Sequence, residues 1–198
     1  MKTKFIEAVK KINDEALRDA CLKMVEDVPF YFWLVPASSS GKYHPECDLG
    51  EGGLVRHSLM VTKFGQELVT TEMFVRDEEP NRDIVRVACL FHDCLKSGPV
   101  DEDSNYSDHT VFEHPRLASE FVREHLTEAR IDPLKVNLIC DCIYSHMGKW
   151  CVDVYGEKNG NPQKALSKPR TDFEKLVHIA DYVASRKNIQ ALEDWNNV

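Results

Sequence analysis

The sequence of 198 residues lacks several features that would define a class of protein at once. It contains no apolar run long enough to cross a membrane, and its first residues form no continuous apolar segment of the kind that directs secretion. Lysine and arginine total 25 against 33 aspartate and glutamate, so the formal net charge is −8. A basic surface for long nucleic acids is therefore not expected. We expect a cytoplasmic protein that contacts neither a membrane nor long nucleic acid.

Cysteine pairs with zinc or redox spacing are also missing. The chain has seven cysteines, an odd number, and Cys140 and Cys142 are too close to form a CxxC motif. Reduced thiols packed as small buried residues are the simplest interpretation. Apolar residues make up 42% of the chain, which is enough for the core of one domain.

Helical periodicity dominates what is present. Apolar residues recur at steps of three and four in stretches near 3–27, 54–70, 83–95, from 115, 133–145 and from 171, separated by polar loops at 37–53, 97–112 and 151–170. No convincing alternating strand pattern is found. The sequence predicts an all-α fold, with a compact helical domain over 35–198 and a helical extension over 1–34 that packs on its core.

Six metal-binding side chains lie on or beside the apolar faces of five predicted helices. A buried imidazole or carboxylate needs a partner, because unpaired burial costs several kcal/mol. One such residue is most simply a core residue, but a series of six predicts a metal site between the central helices. The six are His57, His92, Asp93, His114, His146 and Asp181.

Four imidazoles and two carboxylates suit manganese, iron, cobalt, nickel or zinc better than calcium or magnesium. Six ligands are too many for one catalytic ion that keeps an open position, and are natural for two divalent ions that share a carboxylate. We expect Asp93 to be shared. The first ion would also take His57, His92 and Asp181, and the second would also take His114 and His146.

Local sequences around these residues resemble the HD superfamily of metal-dependent phosphohydrolases. The strings are GGLVRH at 52–57, FHDCLK at 91–96, EHP at 113–115, SHMG at 145–148 and HIAD at 178–181. The branch that they resemble includes HD domains of certain 3′-to-5′ exoribonucleases and of conjugative relaxases. Leu95 departs from the pattern, since many relatives have glycine there. The chain also has no room for the oligonucleotide-binding barrel of the exoribonucleases, which argues against long RNA as substrate.

The resemblance implies hydrolysis of a phosphoester or phosphoanhydride in a nucleotide or short oligonucleotide, with a metal-bound hydroxide as nucleophile. Asp93 would bridge the ions and Lys96 would stabilise charge on phosphate. His109, in the loop before His114, could donate a proton to the leaving group or be a solvated loop residue. Candidates for contacts with the substrate, each of which could instead be an ordinary surface residue, are Lys42, His44, Arg56 and Arg186.

Two other functions fit the same residues. Some proteins of the superfamily use a di-iron pair with this ligand pattern to activate oxygen on a small chelating substrate. A non-catalytic nucleotide-binding module is the second alternative, although loss of a ligand would be expected for it. Amphipathic terminal segments could also pair subunits into an oligomer.

Overall fold

The computed structural model describes residues 1–38, 41–42, 44–153, 158, 160 and 164–186. Within these residues the fold is all-helical, as the periodicity predicts. Its helices are α1 (Lys2–Val9), α2 (Glu15–Asp27), α3 (Gly53–Thr70), α4 (Glu79–Phe91), α5 (His114–Glu128), α6 (Pro133–Ser145) and α7 (Asp172–Ala184). In the described part of the chain the only β pairing is one isolated antiparallel bridge between Val152 and Ala165. None of the described helices has the length and apolar character needed to cross a membrane.

The first two helices are separated by a short break that other parts of the chain stabilise. Asp14 caps α2 by accepting the backbone N–H of Leu17 at 3.1 Å. The buried Asp83 carboxylate of α4 accepts the N–H groups of Asn13 and Asp14. Backbone donors at the start of a helix have no partner within it, so these carboxylates stabilise the break.

An aromatic cluster joins the amino-terminal segment to the rest of the core. The short 3₁₀ helix Phe30–Trp33 buries Tyr31 and Phe32. Phe5 of α1 packs edge-to-face on Phe32 and on Phe91 at the end of α4, with ring centroids 5.5 and 5.4 Å apart. Residues 1–34 thus contribute to the same hydrophobic cluster as the later helices. A domain boundary at residue 35 stays a prediction.

Helix α3 lies at the centre and packs against α4 and α7, while α5 pairs with α6. Two elements differ from expectation. The helical stretch 3–27 is divided into α1 and α2, and α4, predicted over 83–95, is observed at Glu79–Phe91. Pro80 occupies its first turn, where proline costs no hydrogen bond. His92 and Asp93 follow the last helical residue and lie in turns. Two adjacent side chains at a helix end are therefore available to one site.

Candidate metal centre

The structure brings all six sequence-predicted ligands together at one end of the helical bundle. His57 comes from α3 and Asp181 from α7, His92 and Asp93 follow α4, His114 begins α5, and His146 follows α6. The four histidine side chains and that of Asp93 are at most 2% exposed, and that of Asp181 is 17% exposed. Nearly all of these polar groups are therefore removed from water.

Asp93 lies in the middle of the cluster, and its two oxygens face different groups. Oδ1 is 3.0 Å from His114 Nε2 and 3.5 Å from His146 Nε2. Oδ2 is 3.3 Å from His92 Nε2 and 2.5 Å from Lys96 Nζ. A carboxylate arranged in this way is suited to bridge two cations.

Asp181 lies close to the imidazoles of His57 and His92. Its Oδ1 lies 3.0 Å from His57 Nε2 and 3.8 Å from His92 Nε2. His57 Nε2 is also 3.8 Å from Asp93 Oδ2. The donors fall into two groups that could each hold an ion, His57–His92–Asp181 and His92–Asp93–His146.

Backbone carbonyls orient three of the four rings. The Nδ1 atoms of His92, His114 and His146 each lie 2.7–2.8 Å from the carbonyl oxygen three residues earlier in the chain. A ring that donates Nδ1–H to a carbonyl presents an unprotonated Nε2, which is the form that binds a metal. All three Nε2 atoms are on the side of Asp93.

The donor set fits divalent metal ions. Two ligand atoms about 2.0–2.2 Å from a common ion lie about 3.0–3.5 Å apart at ordinary coordination angles, close to the separations observed. Within the described residues, His92 Nε2 and Asp93 Oδ1 are buried and have no hydrogen-bond partner. Buried polar atoms are normally satisfied, so these two indicate a missing partner that accepts electron pairs.

Ionisation of the site agrees with cation binding. Burial alone would raise the pKa of Asp93, but Lys96 and His92 hold it well below the usual value. Burial likewise opposes ionisation of Asp181, whose pKa is nevertheless lowered, mainly by the hydrogen bond from His57. Both carboxylates are therefore anionic at neutral pH, as metal ligands must be.

A cavity of about 300 Å³ opens onto the cluster. Lys96 lines it beside the ligands, and Phe112, Met147 and Trp150 add apolar surface. Arg186 also lines the cavity, and its guanidinium carbon lies 4.2 Å from the ring centroid of Tyr182, which stacks on Trp150. The space combines cationic, apolar and metal-binding groups, which is the usual character of a small-molecule site.

His44 lines the same cavity, as the substrate-contact prediction requires. Its ring centroid is 4.9 Å from that of His57, and within the described residues neither of its ring nitrogens has a hydrogen-bond partner. Burial, followed by the positive charge of His57, lowers the pKa of His44 to about 2. His44 is therefore neutral, and offers one donor and one acceptor.

Two other candidates for substrate contact, Arg56 and Lys42, and the candidate proton donor His109 do not line this cavity. Arg56 was expected to grip a phosphate, but its guanidinium donates to the backbone carbonyls of Cys47, Leu49 and Glu51. Lys42 is exposed and is not among the residues that line the cavity. His109 is also exposed and lines a neighbouring space of about 220 Å³, which shares Lys96 with the larger cavity.

Several residues around the site were not singled out by the sequence. The buried Asp48 carboxylate faces His57 Nδ1 at 3.7 Å. His178 donates Nδ1–H to the carbonyl of His146 at 2.7 Å and so supports the turn that carries this ligand. Gly148 makes this contact possible, because a Cβ there would lie 2.1 Å from the His178 ring. Gly148 is part of the SHMG string, so the sequence could have indicated its importance. Nothing in the local sequence around Asp48 indicates that this carboxylate lies near His57.

The fold and the site define an all-helical protein with a buried histidine–aspartate centre suited to divalent metal ions. A comparison with protein families identifies the family: the model of the HD domain matches residues 54–186, about two thirds of the chain. The chain therefore belongs to the HD-domain family, which is typical of metal-dependent phosphohydrolases. No curated protein and no solved structure matches the sequence.

Proposed function

We propose that this protein is a metal-dependent phosphohydrolase that cleaves a phosphoester or phosphoanhydride bond in a nucleotide or short oligonucleotide. The observation that carries the proposal is a pair of buried ligand atoms, His92 Nε2 and Asp93 Oδ1, that have no hydrogen-bond partner among the described residues. They lie beside a cavity that Asp93, Lys96 and Arg186 line. Buried ligand atoms without a hydrogen-bond partner indicate a metal ion. The cationic side chains of Lys96 and Arg186 suit a phosphate of the substrate.

Two ions account best for the six ligands. One would be held by His57, His92 and Asp181, and the other by His114 and His146, with Asp93 shared between them. Divalent ions at such a site lower the pKa of a bound water and neutralise phosphate oxygens. Manganese, iron, cobalt, nickel and zinc all suit this mixture of imidazole and carboxylate.

Lys96 is the residue of the chain that we assign to stabilise charge on the phosphate. Its ammonium group contacts the Asp93 carboxylate and lines both cavities. A cation held in a water-poor site next to the reacting phosphate stabilises the charge that develops there without having to reorganise. Asp93 thus positions Lys96 as well as the ions.

The walls of the cavity support a substrate that carries a base. The ring of Trp150 is 41% exposed, and it stacks on Tyr182 with ring centroids 5.6 Å apart. Nucleobases bind to aromatic surfaces flanked by arginine through stacking and cation–π contacts. We assign Trp150 and Arg186 to the base or its phosphate, and neutral His44 to a polar group of the substrate.

The leaving group needs a proton donor, and His109 remains our candidate. The smaller cavity that it lines meets the larger one at Lys96 and Thr110. A substrate bound across this junction would place its leaving group on the side of His109. Its exposure is compatible with proton exchange with solvent.

The test is phosphate or nucleotide release by the metal-stripped protein supplied with Mn²⁺, over nucleoside mono-, di- and triphosphates, cyclic dinucleotides and short oligonucleotides. Asp93→Ala should abolish turnover and reduce bound metal, because it removes the shared ligand. Asp19→Ala, which replaces an exposed aspartate of α2, is the matched control and should behave as wild type. Full turnover by Asp93→Ala, or no release from any member of the panel, would refute the proposal.

Oxygen uptake and iron content, measured on the same samples, distinguish the proposed hydrolase from the oxygenase alternative. Four imidazole donors also suit iron, so the donor set alone is shared by both reactions. We expect Mn²⁺-stimulated release without oxygen consumption. Iron retained after aerobic purification, together with oxygen uptake on a chelating substrate, would instead identify an oxygenase.

A further inference from the structure

His57 is held differently from the other three histidines of the cluster. Its Nδ1 is not bonded to the carbonyl three residues earlier, that of Leu54, which accepts the hydroxyl of Ser58 at 3.1 Å. Instead, His57 Nδ1 lies 3.7 Å from Asp48 Oδ2. Both atoms are buried, and neither has a hydrogen-bond partner in the described part of the chain. The two unsatisfied atoms therefore face each other at slightly more than hydrogen-bond distance.

The close approach of Asp48 to α3 depends on Gly53. A Cβ at Gly53 would lie 1.9 Å from the carbonyl oxygen of Asp48 and 2.7 Å from its carbonyl carbon. Any larger residue would push away the short 3₁₀ helix Glu46–Asp48 that carries the carboxylate. The second glycine of the GGLVRH string therefore allows Asp48 to reach His57.

Arg56 holds the same turn from the other side. Its guanidinium donates to the carbonyls of Cys47 and Leu49, the two neighbours of Asp48, and to that of Glu51 at 2.8 Å. Three hydrogen bonds from one planar group restrain the backbone on both sides of Asp48. This arrangement explains why an arginine precedes His57 although it does not line the cavity.

We propose that Asp48 is a positioning residue for the metal ligand His57. In the metal-bound centre Asp48 would accept Nδ1–H of His57, which would leave Nε2 to bind the ion together with Asp181; Gly53 and Arg56 hold the turn of Asp48 beside His57. Partners of this kind fix the ring of a ligand and raise its basicity, and their loss lowers metal affinity by about 10- to 100-fold. The inference rests on the metal site of the proposed function and is independent of the reaction catalysed there.

The experiment is a calorimetric titration of the metal-stripped, full-length protein with Mn²⁺. We expect two ions in the wild type. Asp48→Asn should lower the affinity for one of them by about tenfold, and Asp48→Ala should lower the affinity for the same ion by up to about 100-fold. The affinity for the other ion should not change. Arg56→Gln should lower the affinity for the ion that the Asp48 variants affect to an intermediate degree. Glu46→Gln, an exposed carboxylate in the same turn, is the control and should bind both ions as wild type does.

The outcomes separate this inference from the proposed function. Wild-type affinity for both ions in Asp48→Asn and Asp48→Ala would overturn the role of Asp48, as would equal weakening of both ions. A wild type that binds two ions and hydrolyses nothing would refute the phosphohydrolase and leave Asp48 as assigned. Far-UV circular dichroism of the metal-free variants checks that the helices are intact, and Asp48→Asn, which preserves the shape of the side chain, serves if Asp48→Ala does not fold.

Discussion

Replacement of Lys96 by methionine tests whether the ammonium group at the junction of the two cavities serves the reaction or only balances Asp93. The side chain is 13% exposed, and its Nζ lies 2.5 Å from Asp93 Oδ2. Methionine keeps most of the buried stem and removes the charge. A preorganised charge partner of a developing anion contributes about 10²–10³ in kcat, or about 2.7–4 kcal/mol of activation free energy. We expect Lys96→Met to lower kcat by this factor.

The affinity for metal should not fall together with kcat. Lys96 competes with a cation for Asp93, so its removal should leave Mn²⁺ affinity unchanged or increase it. In the metal-free protein, loss of a partner leaves a buried carboxylate less compensated, at a cost of up to about 3–5 kcal/mol. A bound ion replaces the missing charge. The melting temperature should therefore fall more in the metal-free variant than in the metal-loaded one.

The assay is steady-state kinetics at saturating Mn²⁺ on the best substrate of the panel, with metal content measured on the same samples. Lys175→Met is the matched control, since Lys175 is 46% exposed on α7 and pairs with Asp172. We expect it to retain the wild-type kcat. The reasoning would be refuted if Lys96→Met kept the wild-type kcat, or if its loss of activity were fully explained by loss of metal.

Two further predictions concern the base platform and the amino-terminal helices. Trp150→Ala should raise KM for a nucleotide by about tenfold, because base stacking on an aromatic ring contributes about 1–3 kcal/mol. The KM for a phosphoester that has no base should not change. An equal rise in KM for both substrates would contradict the assignment. Asp14→Ala removes the cap on Leu17 and the ion pair with Lys135, and should lower the free energy of unfolding near neutral pH by about 1–2 kcal/mol. The hydrogen bond from Lys135 lowers the pKa of Asp14 below 3.8, so this contribution is present above that pH and is lost as the pH falls through the folded-state pKa. Urea denaturation at neutral and acidic pH measures the difference, and a pH-independent gap between wild type and variant would show the linkage to be wrong.

Much of the fold could be predicted because amphipathic periodicity is a local property. The helix predicted over 133–145 is observed at Pro133–Ser145, and the one expected from Leu54 begins one residue earlier. The prediction for α4 was wrong by about four residues at each end. Apolar residues continue through Cys94 and Leu95 after the backbone has turned at His92, so periodicity alone could not show where α4 ends.

The candidate site was predictable to a different extent for different residues. The six proposed ligands lie in short strings, and the structure brings them within reach of one another. Arg56 was a candidate because it is next to His57 in sequence, but successive residues of a helix point about 100° apart. Its guanidinium contacts backbone carbonyls of the preceding turn. Asp48 and Trp150 become visible only when the paths of the loops are known, since neither belongs to a periodic pattern.

This contrast has a physical origin in how each ligand is oriented. His92, His114 and His146 lie at helix ends, and each takes its orientation from a carbonyl three residues earlier. A string of a few residues therefore specifies both the ligand and its ring. His57 lies within α3 and faces Asp48, nine residues earlier in the 3₁₀ helix Glu46–Asp48, and Asp181 in α7. Changes in the loop before α3 should accordingly affect the ion at His57 first, whereas the part of the centre around Asp93 should tolerate them as long as the helix ends stay in place.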